Sequence, residues 1–313
     1  MTVEALSGPR FVIPYGSDGY PEAFSVLSDP PKAIYGIGNP EALREGLAIV
    51  GARKASSYGL TCARRFGKRA GEKGVLVISG GALGCDGEAH RGALEASGQT
   101  LVFLGGGCDC LYPARHRGLF QDVVNAGGAV VSEHFWNVSP RPYMFRMRNR
   151  LIAALSKATL ITEAGLGSGT FSTADEALSA NREVLAIPGP ITSPLSAGTN
   201  RLICQGATPI IDDATFDDAL FWLFGALREP LGSGDAYIDV SKEVEGESRG
   251  DPVLGEVLRL LRFGPKSLEQ LVAGDGDSWK DASVTIPEIL QALTSLELQG
   301  IVALCPDGRY ALT

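Results

Sequence analysis

The sequence lacks any apolar run long enough to cross a membrane. A membrane-spanning helix needs about 20 consecutive apolar residues, and none of the apolar runs in this chain of 313 residues approaches that length. The N-terminus, MTVEALSGPRFVIPYG, does not have the basic and then apolar segments of a secretory signal peptide. We therefore expect no membrane partner and a cytoplasmic location.

Residues that bind metals are also scarce. The six cysteines form no C-x-x-C pair, and the chain has three dispersed histidines. Cys108 and Cys110 form the one close pair, with no second cysteine or histidine pair at the spacing of zinc ligands. We expect reduced thiols, as in intracellular proteins, and we predict neither a metal site nor a cofactor.

An excess of positive charge is absent. The 36 acidic and 28 basic residues give a formal net charge of −8, which argues against a protein that coats nucleic acid indiscriminately. The charges are nevertheless segregated, because the bases between Arg53 and Arg69 precede any acid in their stretch and acids gather at 212–218. A local basic groove is compatible with this pattern.

Short apolar runs alternate with helical patterns from about residue 47 to 224. The runs are rich in Val, Ile and Leu without clean polar alternation, as expected for strands buried on both faces of a parallel sheet. Ser56 and Ser57 are cap candidates for the first helix. The pattern predicts an α/β fold with a Rossmann-like, doubly wound parallel sheet, with strands at 47–50, 75–78, 100–104, 129–131, 158–162, 184–187 and 208–211.

The two ends of the chain differ from this middle part. Residues 1–46 contain a short helical pattern, an Asp-Pro-Pro break and the strand-like AIYGIG, which predict an extension of the sheet at one edge. The acidic stretch 229–250 predicts a linker between domains 1–228 and 251–313. The last of these has three helical patterns and then two strand-like runs around a Pro-Asp-Gly turn, the order of a winged-helix domain. Its excess of acids favours binding of a protein partner, or modulation of a dimer, over readout of duplex DNA.

Most predicted strands of the large domain end in glycine or small polar residues. The loops are GARKASS, SGGALGCDGEAH, GGGCDCLYP, EAGLGSGT and PGP. Loops at the carboxyl ends of parallel strands form the binding crevice of this fold class. Glycines let the backbone approach a ligand, and the helix starts that follow offer free N–H groups to an anion. Tight turns alone are the other interpretation, but five such loops favour a phosphate- or nucleotide-binding rim.

The familiar nucleotide-binding and catalytic motifs are incomplete. No G-x-G-x-x-G follows the first strand, and GLGSGT lacks the lysine of a Walker loop. Ser79 and Ser168 lack the context of a nucleophile elbow, so we predict no catalytic residues. His90 lies in a helical pattern, where it either is a structural histidine or lines the crevice.

The segment FRMRNRLIAAL, residues 145–155, carries the strongest local signal. Arg146, Arg148 and Arg150 surround Asn149 just before a run that indicates a buried helix. Arginine suits phosphate because of its planar donor fork, and aromatic side chains such as Phe145 can stack on the bases of a single strand. The segment therefore predicts contact with nucleic acid.

These arginines also have structural interpretations. They could lie in a solvated loop or form ion pairs with Glu133, Asp86 or Glu163, and the aromatic side chains could pack in the core. We expect some of both, with Arg150 the most structural because it is predicted to open the helix.

Seven segments, in order, resemble the DNA-processing protein A family, called DprA or Smf. The similarity covers roughly residues 15–212 and implies a Rossmann-like domain that binds single-stranded DNA and loads the RecA recombinase in natural transformation. It further implies a homodimer without enzymatic activity. The segments are VGARKASSYG (50–59), SGGALGCDGEAHRGAL (79–94), LGGGCDCLYP (104–113), SEHFWNVSPRPYMFRMRNRLIAALS (132–156), EAGLGSGTFSTADEAL (163–178), IPG (187–189) and SAGTNRLICQGA (196–207).

The resemblance also implies which residues face the DNA. Carried over position by position, they are Gly51, Arg53, Ser79, Gly80, Gly81, Arg148, Asn149, Arg150, Ser168 and Gly169. The local pattern of charge and aromatic residues adds Lys54, Phe145 and Arg146.

The chain departs from the family pattern in three places. Arg146 stands where the family usually has proline, and Cys85 stands where it usually has isoleucine. We also expect the helical N-terminal domain of many members to be missing.

Two other functions use the same crevice. GSGTFSTADEA resembles the P-G-G-x-G-T-x-x-E loop of nucleotide phosphoribohydrolases, with Asp175 or Glu176 in place of the catalytic glutamate. A sensor that binds a small nucleotide and signals through the C-terminal domain is the third interpretation.

Overall fold

The computed structural model describes residues 5–166, 169–225, 252–261, 266–274, 284–298, 301–304 and 309–312. The chain divides into two compact units, Met1–Gly232 and Ser233–Thr313. The predicted linker and the domain limits on either side of it lie outside the described residues, so those limits stay a prediction.

A nine-stranded sheet forms the centre of the first unit, in the order β1-β2-β6-β5-β4-β3-β7-β8-β9. The strands from β3 to β9 are mutually parallel, which confirms the predicted sheet, and each lies within two residues of its predicted position. The strands are β1 (Arg10–Pro14), β2 (Ala33–Gly38), β3 (Gly46–Val50), β4 (Val77–Ser79), β5 (Thr100–Phe103), β6 (Ala129–Ser132), β7 (Ser156–Ile161), β8 (Glu183–Ala186) and β9 (Thr208–Pro209).

The predicted extension of the sheet at its edge is also confirmed. Strands β1 and β2 are antiparallel to each other, and β2 is antiparallel to β6. The sequence pattern did not predict β1, because most of its side chains face solvent and Pro14 ends it.

Helices cover both faces of the sheet, as the doubly wound arrangement requires. Along β3, Leu47 and Ile49 pack with α1 and α7, whereas Ala48 and Val50 pack with α4 and α5 on the opposite face. Burial of each large apolar side chain stabilises the folded state by about 1.5–3 kcal/mol relative to leaving it exposed. The helices are α1 (Ser57–Glu72), α2 (Cys85–Glu95), α3 (Arg117–Asn125), α4 (Pro142–Leu155), α5 (Thr170–Ser179), α6 (Ala197–Cys204) and α7 (Asp213–Phe224).

The basic residues of α1 hold helices together. The Arg69 guanidinium donates two hydrogen bonds of 2.6 Å to the Asp217 carboxylate, and Arg65 Nε donates one of 2.7 Å to Asp213. The charge segregation in the sequence is thus compensated in space, because the acids of α7 lie against the bases of α1.

In the part of the chain that the structure describes, every helix is too short or too polar to cross a membrane.

The second unit has its own apolar core. It contains α8 (Pro252–Leu261), α9 (Leu268–Ala273), α10 (Ile286–Leu298) and the antiparallel strands β10 (Val302–Leu304) and β11 (Tyr310–Leu312). Leu258, Leu271 and Leu293 are buried in that core. Three helices followed by a hairpin is the predicted order of elements, and the winged-helix assignment itself stays a prediction. Helix α10 contains acids but neither lysine nor arginine.

Candidate nucleic-acid interface

A cleft of about 640 Å³ opens at the carboxyl ends of β3 and β7. Strand β3 has β4 on one side and β7 on the other. The order in which successive strands are added to the sheet therefore reverses at β3. Crevices of open parallel sheets form at this kind of switch point. The walls come from the loop after β3, from α4 and from the loop between β7 and α5. The predicted crevice is therefore present.

The candidate residues divide into three groups in the structure. Of the described candidates, Ser79, Gly81 and Arg150 do not line the cleft, and Ser168 lies outside the described residues. Gly80 lines a smaller adjoining pocket. The candidates that line the cleft are Gly51, Arg53, Lys54, Phe145, Arg146, Arg148, Asn149 and Gly169.

Arg53 and Lys54 are the exposed cations of the loop after β3. The Arg53 guanidinium lies 5.3 Å from the centroid of the Phe145 ring, within the range of a cation–π contact. No carboxylate of the described residues lies within ion-pair distance of either cation. Both positive charges are therefore available to an anion in the cleft.

The motif with the three arginines lies inside α4 rather than before a helix. Helix α4 begins at Pro142, a favoured residue for a first turn, so the prediction that Arg150 opens the helix is wrong. Residues two apart on a helix point about 200° apart. Arg146 accordingly faces solvent, whereas Arg148 points into the protein.

Arg148 connects α4 to the ends of β4 and β5. Its side chain is only 5% exposed, and its guanidinium donates hydrogen bonds to the carbonyl of Gly80 at 2.7 Å and to the carbonyl of Phe103. Burial lowers the pKa of Arg148 to about 10, with the nearby Asp86 opposing that shift. The guanidinium is thus held by backbone groups beneath the cleft.

Asp86 complements Arg148 at the start of α2. Its buried carboxylate accepts a hydrogen bond of 3.4 Å from the backbone N–H of Ala82 and lies close to the backbone of Gly51. Burial raises the pKa of this carboxyl, and the charge of Arg148 opposes the shift. Together the two side chains hold the loop after β4, Asp86 through the Ala82 N–H group and Arg148 through the Gly80 carbonyl. Asp86 also lies against the start of the loop after β3.

Arg150 forms one of the ion pairs considered for this segment. Its guanidinium lies 2.5 Å from the Glu133 carboxylate, and both side chains are largely buried. This pairing agrees with the structural role that we expected for Arg150.

Ser79 and His90 are interior residues. Ser79 is fully buried, and its hydroxyl donates to the Ile49 carbonyl at 2.7 Å. His90 Nδ1 lies 2.6 Å from the Thr100 hydroxyl, and burial lowers the pKa of His90 to about 3. His90 is therefore a neutral structural histidine, and the position of Ser79 does not support contact with a ligand.

Gly80 is required where Arg148 approaches the backbone. A Cβ atom at Gly80 would lie 2.5 Å from the guanidinium nitrogens. We expect Gly80→Ala to lower the free energy of unfolding by about 1–3 kcal/mol, since overpacking displaces the neighbouring group. Chemical denaturation measures the change. Gly118→Ala is the matched control, because a Cβ there meets open space, and equal stability of the two variants would contradict this packing.

Glu163 is a capping residue in this structure. Its carboxylate accepts hydrogen bonds from the backbone N–H of Ser56 at 2.7 Å and from its hydroxyl at 2.6 Å. The side chain is 2% exposed, and Asp175 on α5 faces solvent. Among the described residues, Asp86 is the one carboxylate that lines the cleft, and no group of three metal-binding side chains occurs.

Tyr112, which the sequence pattern did not single out, lies next to the cleft. Its ring lies beside that of Phe145, with centroids 5.2 Å apart, and it lines the pocket that adjoins the cleft. The available signal was the LYP that ends one of the glycine-rich loops.

Comparison with known proteins shows the family. The profile described as DNA recombination-mediator protein A matches residues 11–220. The chain is 36% identical to Protein Smf of Escherichia coli, over 96% of this chain and 77% of that protein. It is 34% identical to the putative DNA processing protein DprA of Mycobacterium tuberculosis, over 90% of this chain and 69% of that protein.

Solved structures of the same family share the fold. DNA processing protein A from Streptococcus pneumoniae matches with a TM-score of 0.62 and 32% identity, over 67% of this chain and 74% of that chain. The protein from Helicobacter pylori, described for its single-stranded DNA binding mode, matches with a TM-score of 0.62 and 29% identity, over 69% of this chain and 97% of that chain. From its matched profile, its curated relatives and its fold, this chain belongs to the DNA recombination-mediator protein A family, that of DprA and Smf.

Proposed function

We propose that the protein binds single-stranded DNA in the cleft at the ends of β3 and β7. The observation that carries this proposal is a pair of exposed cations, Arg53 and Lys54, with no carboxylate partner among the described residues, beside the ring of Phe145. Single-strand-binding grooves combine positive charge along the backbone with aromatic surfaces for the bases. The single-stranded DNA binding mode described for the Helicobacter pylori relative supports the same function.

The roles within the cleft follow from burial and partners. Arg53, Lys54 and Arg146 are exposed at its rim and would contact phosphates, which supply most non-specific affinity for nucleic acid. The same proposed contact surface includes Gly51, Asn149 and Gly169, together with Ser168, which lies outside the described residues. Arg148 and Asp86 fix the loops from beneath, so their contribution to binding is through the geometry of the rim.

We infer further that the protein binds DNA without chemical turnover. The charged side chains at the floor of the cleft, Asp86 and Arg148, are both engaged with backbone groups. Among the described residues, neither forms a hydrogen bond with the side chain of a serine, cysteine or histidine, as a nucleophile and its base would. This favours a binding protein over the phosphoribohydrolase interpretation.

Loading of the RecA recombinase in natural transformation, a homodimer and a cytoplasmic location are further parts of the proposal. Membership of the family supports them. The end of α7 also exposes apolar side chains that a second copy could cover, with Trp222 83% and Phe221 52% exposed. Light scattering in solution measures the mass, and RecA filament growth on coated single strands measures loading.

One set of titrations tests the proposed function. We expect tight binding to an oligodeoxythymidine strand, weaker binding to duplex of equal length and little binding to nucleoside monophosphates, because only the single strand offers both phosphates and open base faces. We also expect no free base after incubation with nucleoside monophosphates. Preference for a mononucleotide, or release of base that is lost in a Glu163→Gln or Asp175→Asn variant, would contradict it.

A further inference from the structure

Tyr112 presents an accessible aromatic face next to the cleft. It lines an adjoining pocket of about 190 Å³, whose walls also include Arg53 and Lys54. Its side chain is 51% exposed. The same two cations therefore border both cavities.

The Tyr112 ring is supported from behind by Phe145. The two ring centroids are 5.2 Å apart with an angle of 47° between the planes. Phe145 is itself confined, because Arg53 lies over its ring and a Cβ at Gly105 would come within 2.7 Å of it. Phe145 is thus the supporting ring, whereas Tyr112 has the more open surface.

The backbone on both sides of Tyr112 is anchored. Leu111 is 6% exposed and packs in an apolar cluster with Phe120 and Val123, and Pro113 is buried. A ring on an anchored backbone, backed by a second ring, loses little conformational freedom when a flat ligand stacks on it. This separates Tyr112 from an exposed aromatic side chain on a free loop.

We propose that Tyr112 is a stacking platform for an unpaired nucleobase of the bound strand. The inference rests on the proposed function, since the phosphates of that strand would be held by Arg53 and Lys54. Every nucleobase has a π-face, so the platform would accept any base and add affinity without strong sequence preference. It assigns to the glycine-rich loop after β5 a direct part in DNA binding.

The test separates stacking from support of the neighbouring loop. The affinities of wild type, Tyr112→Leu and Tyr112→Phe are measured for oligodeoxythymidine and for an abasic strand of the same length. We expect Tyr112→Leu to weaken binding to the thymidine strand by roughly tenfold and to leave binding to the abasic strand unchanged. Tyr112→Phe should bind both strands as wild type does, and the slope of log affinity against log salt should not move, since no charge is removed.

Tyr15→Leu is the matched control, because Tyr15 is a 62% exposed tyrosine in the turn that follows β1. Tyr112→Trp covers the case in which the leucine variant does not fold. The larger ring should preserve binding to the thymidine strand, so a weaker thymidine complex of a folded Tyr112→Trp would contradict the inference. An equal loss on both strands, or no loss on either, would also overturn it. Failure of wild type to bind the thymidine strand would contradict the proposed function itself.

Discussion

Replacing both Arg53 and Lys54 with glutamate is expected to weaken binding to single-stranded DNA by about a hundredfold or more. A hydrogen bond to a charged group contributes roughly 1.5–3 kcal/mol, and each 1.4 kcal/mol is about a factor of ten. The new carboxylates would also repel the phosphates. Both positions are exposed, so thermal melting of the variant should match wild type, and titration with an oligodeoxythymidine strand gives the loss.

Replacing Arg53 and Lys54 with alanine tests the same claim, because the salt dependence of binding counts the phosphate contacts that are lost. Each phosphate contact removed should lower the slope of log affinity against log salt by about 0.7 for a single strand. Arg65→Ala is the matched control, because Arg65 is an exposed base of α1 that pairs with Asp213. An unchanged slope in a normally stable Arg53→Ala, Lys54→Ala double variant would remove the basis for placing DNA in this cleft.

Arg148→Ala is expected to lower the free energy of unfolding by about 3–5 kcal/mol, the usual effect of removing one partner of buried charges. The change would leave the carbonyls of Gly80 and Phe103 without their donor and the Asp86 carboxylate without a compensating charge. Arg146→Ala is the control on the same helix, where an exposed side chain should change stability by less than about 0.5 kcal/mol. Urea denaturation measures both variants.

The loss of unfolding free energy in Arg148→Ala, called the deficit below, should depend on pH in a definite direction. Burial holds the pKa of the Asp86 carboxyl above its unfolded value, so the native state retains the proton more strongly and loses stability as the pH rises through that range. Without Arg148 the pKa should rise further. The deficit of Arg148→Ala should therefore shrink on acidification, since a protonated Asp86 needs no compensation. A stable Arg148→Ala that has lost its DNA affinity would instead indicate direct contact with the strand.

The sheet was predictable from the sequence, whereas the direction of individual side chains was not. Uninterrupted runs of Val, Ile and Leu specify strands buried on both faces, and the glycine-rich ends of those runs specify the crevice edge. The run before Leu151 was harder to interpret, because Pro142 can either end a loop or begin a helix. Because Pro142 begins α4, helical geometry places Arg146 in solvent and Arg148 in the interior.

The requirement for glycine at two loop positions also has a reason that the sequence alone does not reveal. We expected them to let a ligand approach the backbone, but a Cβ at Gly51 would lie 2.7 Å from the Cys85 sulfur, and one at Gly80 would meet Arg148. Both positions are therefore required by internal packing. Which side chain comes close to a given loop depends on tertiary contacts, and these cannot be derived from local patterns.

Hydrogen–deuterium exchange with and without an oligodeoxythymidine strand tests the central claim most directly. If the strand lies in the cleft, backbone amides at 51–54 and 143–149 should exchange more slowly in the complex, because these segments form the rim and the facing helix. Amides of α8 and α10 in the second unit should be unchanged. Protection confined to the second unit, with the rim of the cleft exchanging as in the free protein, would contradict the account.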